Sequence, residues 1–121
     1  MAFMASVHIC EVGPRDGLQN AHHLMPTEAK KAWIAALAAA GFKEIEVGSF
    51  VPPKLIPAMA DTGEVVAFAR TLPNVKVVAL APNLKGFQRA LEASQLRREV
   101  KELRQANEIL RKVHRLKPIQ V

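Results

Sequence analysis

Three β-type runs, beginning near Val7, Glu44 and Val75, alternate with three segments of helical spacing, and this alternation constrains the fold more than any other feature of the chain. Strand, helix and strand in repetition imply a parallel sheet with right-handed crossovers. Such sheets carry their chemistry at the carboxyl ends of the strands, where the connecting loops gather. Spacing alone does not separate a doubly wound sheet from a closed barrel.

The first run, Val7 to Val12, breaks at Gly13-Pro14 and brings Arg15 and Asp16 to its carboxyl end. Gly17 follows where a sharp bend is expected, because only glycine reaches positive φ without steric cost. Taken alone, the pair is also what a solvated surface loop offers. Thr27 is placed to cap a helix running through Trp33 to Ala40. Its apolar face is predicted from Ala29, Ala32, Trp33, Ala36, Leu37 and Ala40. Trp33 then reads as core, and Gly41 as the C-terminal cap.

In the second run, Glu44 to Gly48, Ile45 and Val47 alternate with Glu44 and Glu46. One side takes the apolar pair; the other holds Glu46 near the carboxyl end, where a buried carboxylate is costly unless it has a partner or a task. Phe50 to Pro57 holds three prolines and reads as loop. Asp61 and Glu64 form an expected capping pair for a helix over Thr62 to Thr71. Val75 to Leu80 is the third predicted strand, and a third helix begins near Lys85.

The 121 residues suffice for one small domain. The single cysteine, Cys10, excludes an internal disulfide and suits a reducing compartment. Residues 1–6 lack the basic flank and apolar run of a secretory signal, and no stretch approaches the ~20 apolar residues of a membrane span. A soluble, cytoplasmic protein is expected. Charge is uneven: residues 1–94 carry nine Lys/Arg against eight Asp/Glu, whereas residues 95–121 carry eight against three. That break divides the chain into 1–94 and a basic tail, 95–121.

Four blocks carry a family resemblance: Val7-His-Ile-Cys-Glu-Val-Gly-Pro-Arg-Asp-Gly-Leu-Gln-Asn20, Glu44-Ile-Glu-Val-Gly-Ser-Phe-Val-Pro-Pro-Lys54, Pro57-Ala-Met-Ala-Asp61 and Leu80-Ala-Pro-Asn-Leu-Lys-Gly-Phe87. In this order they resemble hydroxymethylglutaryl-CoA lyase, over about residues 5 to 93. The resemblance implies a TIM-type (β/α) barrel, of which this chain holds the first three β/α units; the charge and spacing of the tail add a C-terminal basic amphipathic helix. It implies cleavage of hydroxymethylglutaryl-CoA, an acyl-CoA substrate, to acetyl-CoA and acetoacetate, a reaction of leucine catabolism. The cofactor it implies is a divalent cation, Mg²⁺ or Mn²⁺, polarising the substrate oxygens.

By position in these blocks, Asp16 matches the carboxylate metal ligand. Arg15 matches the arginine that stabilises the developing enolate, a role suited to a fixed guanidinium. Glu46 matches an active-site glutamate. Gln19 and Ser49 match substrate-contacting positions, and Glu11 a supporting carboxylate. The family completes its metal site with a His-x-His pair and an asparagine from later strands, and places a cysteine on a glycine-rich loop. This chain has His8, His22, His23 and His114, with no His-x-His. Adjacent His22 and His23 point apart, and Cys10 lies inside the first run, where a small buried thiol is expected. One carboxylate is a poor site for a hard cation, and a full barrel needs ~250 residues. A truncated lyase, inactive alone, is the expectation.

In the tail, Leu96, Leu103 and Leu110 recur every seven residues, with Val100 and Asn107 between them. Leucines at d with Val100 and Asn107 at a describe a short coiled-coil seam. The same pattern fits an amphipathic helix lying on its own domain. Leu103-Arg-Gln-Ala-Asn-Glu-Ile-Leu-Arg-Lys112 resembles the leucine-zipper end of the small helix-turn-helix protein of bacterial insertion-sequence transposases. The helix-turn-helix itself is absent, so the resemblance implies dimerisation through Leu96, Leu103 and Leu110, and no nucleic-acid partner.

Overall fold

The structure, a computed structural model, describes residues 4–115. Strand β1 (Cys10–Glu11) runs into a π-helical turn over Gly13–Gly17. Helix α1 (Thr27–Ala39) leads to β2 (Glu44–Ser49), and a single 3₁₀ turn (Pro57–Met59) precedes α2 (Thr62–Ala69). Strand β3 (Lys76–Leu80) and helix α3 (Leu84–Arg115) complete the order. The strands pair in parallel in the order β1-β2-β3. Cys10 lies opposite Glu44, Glu44 opposite Lys76, and the β2–β3 register shifts between Glu46 and Gly48. This is the parallel sheet that the alternation implies and the partial barrel that the resemblance implies.

Ile45 and Val47 of β2 pack against Ile34 of α1 and against Val65 and Ala69 of α2, all at most 2% exposed. Each large side chain so placed contributes roughly 1.5–3 kcal/mol. A second cluster, Leu18, Val51 and Met59, is covered by Met25, Trp33 and Ile56. It joins the segment after β1 to the connection after β2, at the end of the sheet where the site residues emerge.

Several local expectations are corrected. The first strand is two residues long rather than six, because pairing with β2 stops at Cys10 and leaves Val7 and Ile9 exposed. Helix α1 buries Lys30 and Ile34, with Leu37 and Ala38 beside them, while Ala29, Ala32, Ala36 and Ala40 are exposed. An alanine methyl offers too little burial to choose a face; Ile34 and the ion pair of Lys30 choose it instead.

Thr27 is not a cap: Pro26 holds that position, and Thr27 Oγ1 donates to Asp61 Oδ2 at 2.7 Å. Asp61 stands at the N-cap of α2, but its carboxylate serves Thr27 and Lys30, and Glu64 receives Lys31 instead. Gly17 ends the π-helical turn without positive φ; among the glycines Gly41 has it, at 102°, and closes α1 as expected. Cys10 is exposed rather than buried.

Helix α3 crosses the charge break at residue 95 without interruption. Asn83 Oδ1 accepts from the Gly86 amide at 2.8 Å and caps its start. At 1.5 Å per residue it is about 48 Å long. No helix among the described residues is long and apolar enough to cross a membrane.

Candidate active site

The π-helical turn after β1 is built by two ties to its own strand. The Val12 carbonyl accepts from the amides of Arg15 at 3.1 Å and Asp16 at 2.8 Å. Glu11 Oε1 accepts from the Gly13 amide at 2.7 Å. A Cβ at Gly13 would lie 2.8 Å from that carboxylate oxygen and 3.1 Å from the Trp33 ring, so glycine is required for the close approach. Glu11 thus supports the turn rather than facing the pocket.

The turn directs Arg15 onto β2. Arg15 Nε donates to Glu46 Oε1 at 2.6 Å, and its Nη1 reaches Asp16 Oδ1 at 3.3 Å. The side chains of Arg15 and Glu46 are 20% and 15% exposed, that of Asp16 57%. A guanidinium is therefore held by a half-buried carboxylate at the strand ends, with a second, solvent-facing carboxylate beside it. These are the three residues that the sequence singled out for catalysis and metal binding, and the fold brings them together.

The two lesser candidates have a common property. Ser49, at the end of β2, is fully buried and its Oγ has no hydrogen-bond partner. Gln19 Oε1 is likewise buried without a partner. Orphaned buried polar atoms are rare in folded proteins and call for a partner. The backbone of Ser49 is satisfied: its amide donates to Thr62 Oγ1 at 3.3 Å, and Thr62 Oγ1 donates to its carbonyl at 2.9 Å or to that of Met59 at 2.7 Å. Thr62 packs so closely on the β2 irregularity that a Cβ at Gly48 would fall 2.8 Å from its Oγ1.

One buried group was not foreseen. Lys30 Nζ, on a side chain 5% exposed, donates to Asp61 Oδ1 at 2.6 Å and to the Ala58 carbonyl at 2.5 Å. This ties α1 to the connection leading from β2 to α2. The available signal was a lysine one turn before Ile34, with an aspartate ahead of the next helix; alanine periodicity, and the capping role expected of Asp61, obscured it.

At the amino end of the sheet, His8 Nε2 donates to Glu44 Oε2, and Lys76 Nζ lies 3.4 Å from Glu44 Oε1. The His8 hydrogen bond, with Lys76 assisting, holds the Glu44 carboxyl below its ordinary value. Partial burial, then the negative charges of Glu44 and Glu46, push the Cys10 thiol up. A groove of about 290 Å³ opens there between Val7, Ile9 and Phe42, away from Arg15 and Glu46.

A divalent cation does not fit the residues present. No group of three His, Cys, Asp or Glu among the described residues is placed to hold one. Among the described residues at these strand ends, Asp16 has the solvent-facing carboxylate, and it is already paired with the Arg15 guanidinium. His8 is engaged at the far end of the sheet, and His22 and His23 are exposed in the loop before α1.

Comparison with known proteins agrees with this geometry. The chain is 53% identical over 87 residues to a 3-hydroxy-3-isohexenylglutaryl-CoA/hydroxy-methylglutaryl-CoA lyase of Pseudomonas aeruginosa, covering 72% of this chain and 29% of that protein. It is 48% identical over 92 residues to the mitochondrial hydroxymethylglutaryl-CoA lyase of Gallus gallus, covering 76% and 31%. A crystal structure of the hydroxymethylglutaryl-CoA lyase from Pseudomonas aeruginosa superimposes with a TM-score of 0.69 at 52% identity, over 73% of this chain and 29% of that one. The Acinetobacter baumannii enzyme, solved with coenzyme A and 3-methylmalate, gives 0.71 at 44% identity, over 78% and 31%. The chain thus spans less than a third of the length of these relatives. With the HMGL-like family model matching residues 6–116, and with the strand-end residues of those blocks gathered at one end of a parallel sheet, the chain belongs to the HMGL-like family.

Proposed function

We propose that residues 5–93 form the first side of a lyase pocket that splits hydroxymethylglutaryl-CoA, or a relative with another 3-substituent, into an acyl-CoA fragment and a 3-keto acid. The reaction breaks the bond between C2 and C3. The tertiary alcohol gives its proton to water, its oxygen becomes the ketone of acetoacetate, the electron pair of the broken bond passes to the thioester as an enolate, and C2 then takes up a proton to give the acyl-CoA. Arg15 is the residue to oppose that charge, since a fixed guanidinium offers donors in a set geometry. Glu46 orients Arg15 through the 2.6 Å contact, the single observation that carries this reading. The unpartnered Ser49 and Gln19 oxygens are ready to meet substrate or an ordered neighbour.

On this reading the chain alone does not turn over, because the described residues leave Asp16 without further metal donors. Those donors would come from a segment or chain carrying the later strands. The lone, exposed Cys10 suits a reducing cytoplasm. Purified chain incubated with hydroxymethylglutaryl-CoA and Mg²⁺ is expected to release no acetoacetate above the blank. Turnover at ordinary enzyme rates would overturn the reading.

A second reading rests on a separate observation. Leu103 and Leu110, seven residues apart on α3, are 68% and 62% exposed. At the heptad spacing that Leu96 shares in the sequence, they offer a line through which the tail, 95–121, would pair as an interaction module.

A further inference from the structure

We infer that the seam on α3 pairs with the same segment of a second copy of this chain, side by side in parallel and in register. The inference deepens the pairing reading above and is independent of the lyase reading.

Leu103 and Leu110 lie open on α3, as does Ile109 off their line, and the spacing of seven between the two leucines suits another helix of the same spacing. Asn107 decides the orientation. It occupies the a position between Leu103 and Leu110 and is exposed in the single chain. In a parallel, in-register pair, a meets a, so each Asn107 amide faces the other and both are hydrogen-bonded. In an antiparallel pair, a meets d, and each Asn107 would be buried against a leucine with its amide unsatisfied, which is unfavourable.

The flanking charges agree. Arg104 and Arg111 occupy successive e positions and are exposed. Antiparallel packing brings e beside e, arginine against arginine. Parallel packing brings e beside the preceding g of the other helix, setting Arg104 near Glu99 and Arg111 near Ala106. Charge pairing therefore favours the same orientation as the asparagine. A parallel pair also brings both lyase-type bodies to the same end of the helices.

Cysteine cross-linking tests this in the full chain, with Cys10→Ser removing the native thiol. In that background Leu96→Cys is oxidised with copper phenanthroline, alone and mixed with Leu110→Cys. Parallel pairing predicts covalent Leu96→Cys dimers from the single variant, with few mixed links. Mixed links dominating, with the single variant unlinked, would overturn the orientation while leaving pairing intact. Sedimentation supplies the second arm. The unsubstituted chain is expected as a dimer at high micromolar concentration, and Leu103→Glu as a monomer of unchanged helix content. A monomeric native chain, or a monomer that floats with anionic phosphatidylserine vesicles, would overturn pairing altogether. None of these readouts involves lyase activity, so failure here and failure of the lyase reading are separable.

Discussion

Arg15 Nε meets Glu46 Oε1 at 2.6 Å across the junction of β1 and β2, joining a turn to a strand 31 residues away. Both side chains are largely shielded, and each is the other's ion-pair partner. Removing either leaves a partly buried ion without its partner, at a cost of about 1.5–3 kcal/mol. Arg15→Met and Glu46→Met should each lower the urea midpoint. Their double variant should lose less than the sum, with a coupling of about 1–3 kcal/mol. Additive losses would show that the pair is not a structural contact in solution.

Lys30 should matter more to stability than its neighbours on α1. Lys30→Met leaves Asp61 with only Thr27 and should destabilise by about 3–5 kcal/mol. Ala32→Ser, on the exposed side of the same helix, should change stability by less than about 0.5 kcal/mol. Thermal unfolding of both variants checks the assignment of the buried face. Equal effects would return α1 to the alanine face.

Gly48→Ala sets a methyl 2.8 Å from Thr62 Oγ1 and Cγ2, where the helix start and the strand irregularity press together. Overpacking of this kind costs about 1–3 kcal/mol. Thr62→Ser in the same chain removes Cγ2 and should recover part of the loss. Chemical denaturation of the single and double variants measures it.

Acid should loosen the amino end of the sheet. The Glu44 carboxyl is held below its ordinary 4.5, first by the His8 hydrogen bond and then by Lys76. A carboxyl depressed in the folded state contributes stability above its unfolded value, and that contribution is lost as pH falls through the folded value. The loss therefore belongs below about pH 4.5. Carboxyl-carbon NMR titration should place Glu44 below the ordinary range, and His8→Ala should move it up. No movement would mean that the His8 contact is not made in solution.

What the sequence revealed follows from which residues dominate their surroundings. Ile45 and Val47 could be assigned because alternation with two glutamates leaves one choice of face, and both are essentially inaccessible. Gly41 was readable because positive φ has few other solutions. Arg15, Asp16 and Glu46 were recognised as blocks in a family order, not from their spacing. The face of α1 was not legible, since alanines carry little preference and Lys30 is buried only because Asp61 arrives from 31 residues downstream. The shortness of β1 and the irregularity between Glu46 and Gly48 depend on pairing between strands, which no local pattern encodes. The orphaned Ser49 and Gln19 oxygens could be named as polar candidates, but their lack of partners is a property of packing.

The central proposal is that residues 5–93 supply a competent first side of a lyase pocket. Its most direct test is to put residues 5–93 of this chain in place of the matching segment of the Pseudomonas aeruginosa lyase and to measure acetoacetate release with Mg²⁺. The account predicts a chimera active near the level of the parent enzyme, reduced by about 10²–10³-fold on Arg15→Met, while the present chain alone stays silent. A folded but inactive chimera, or full activity with Arg15→Met, would contradict it.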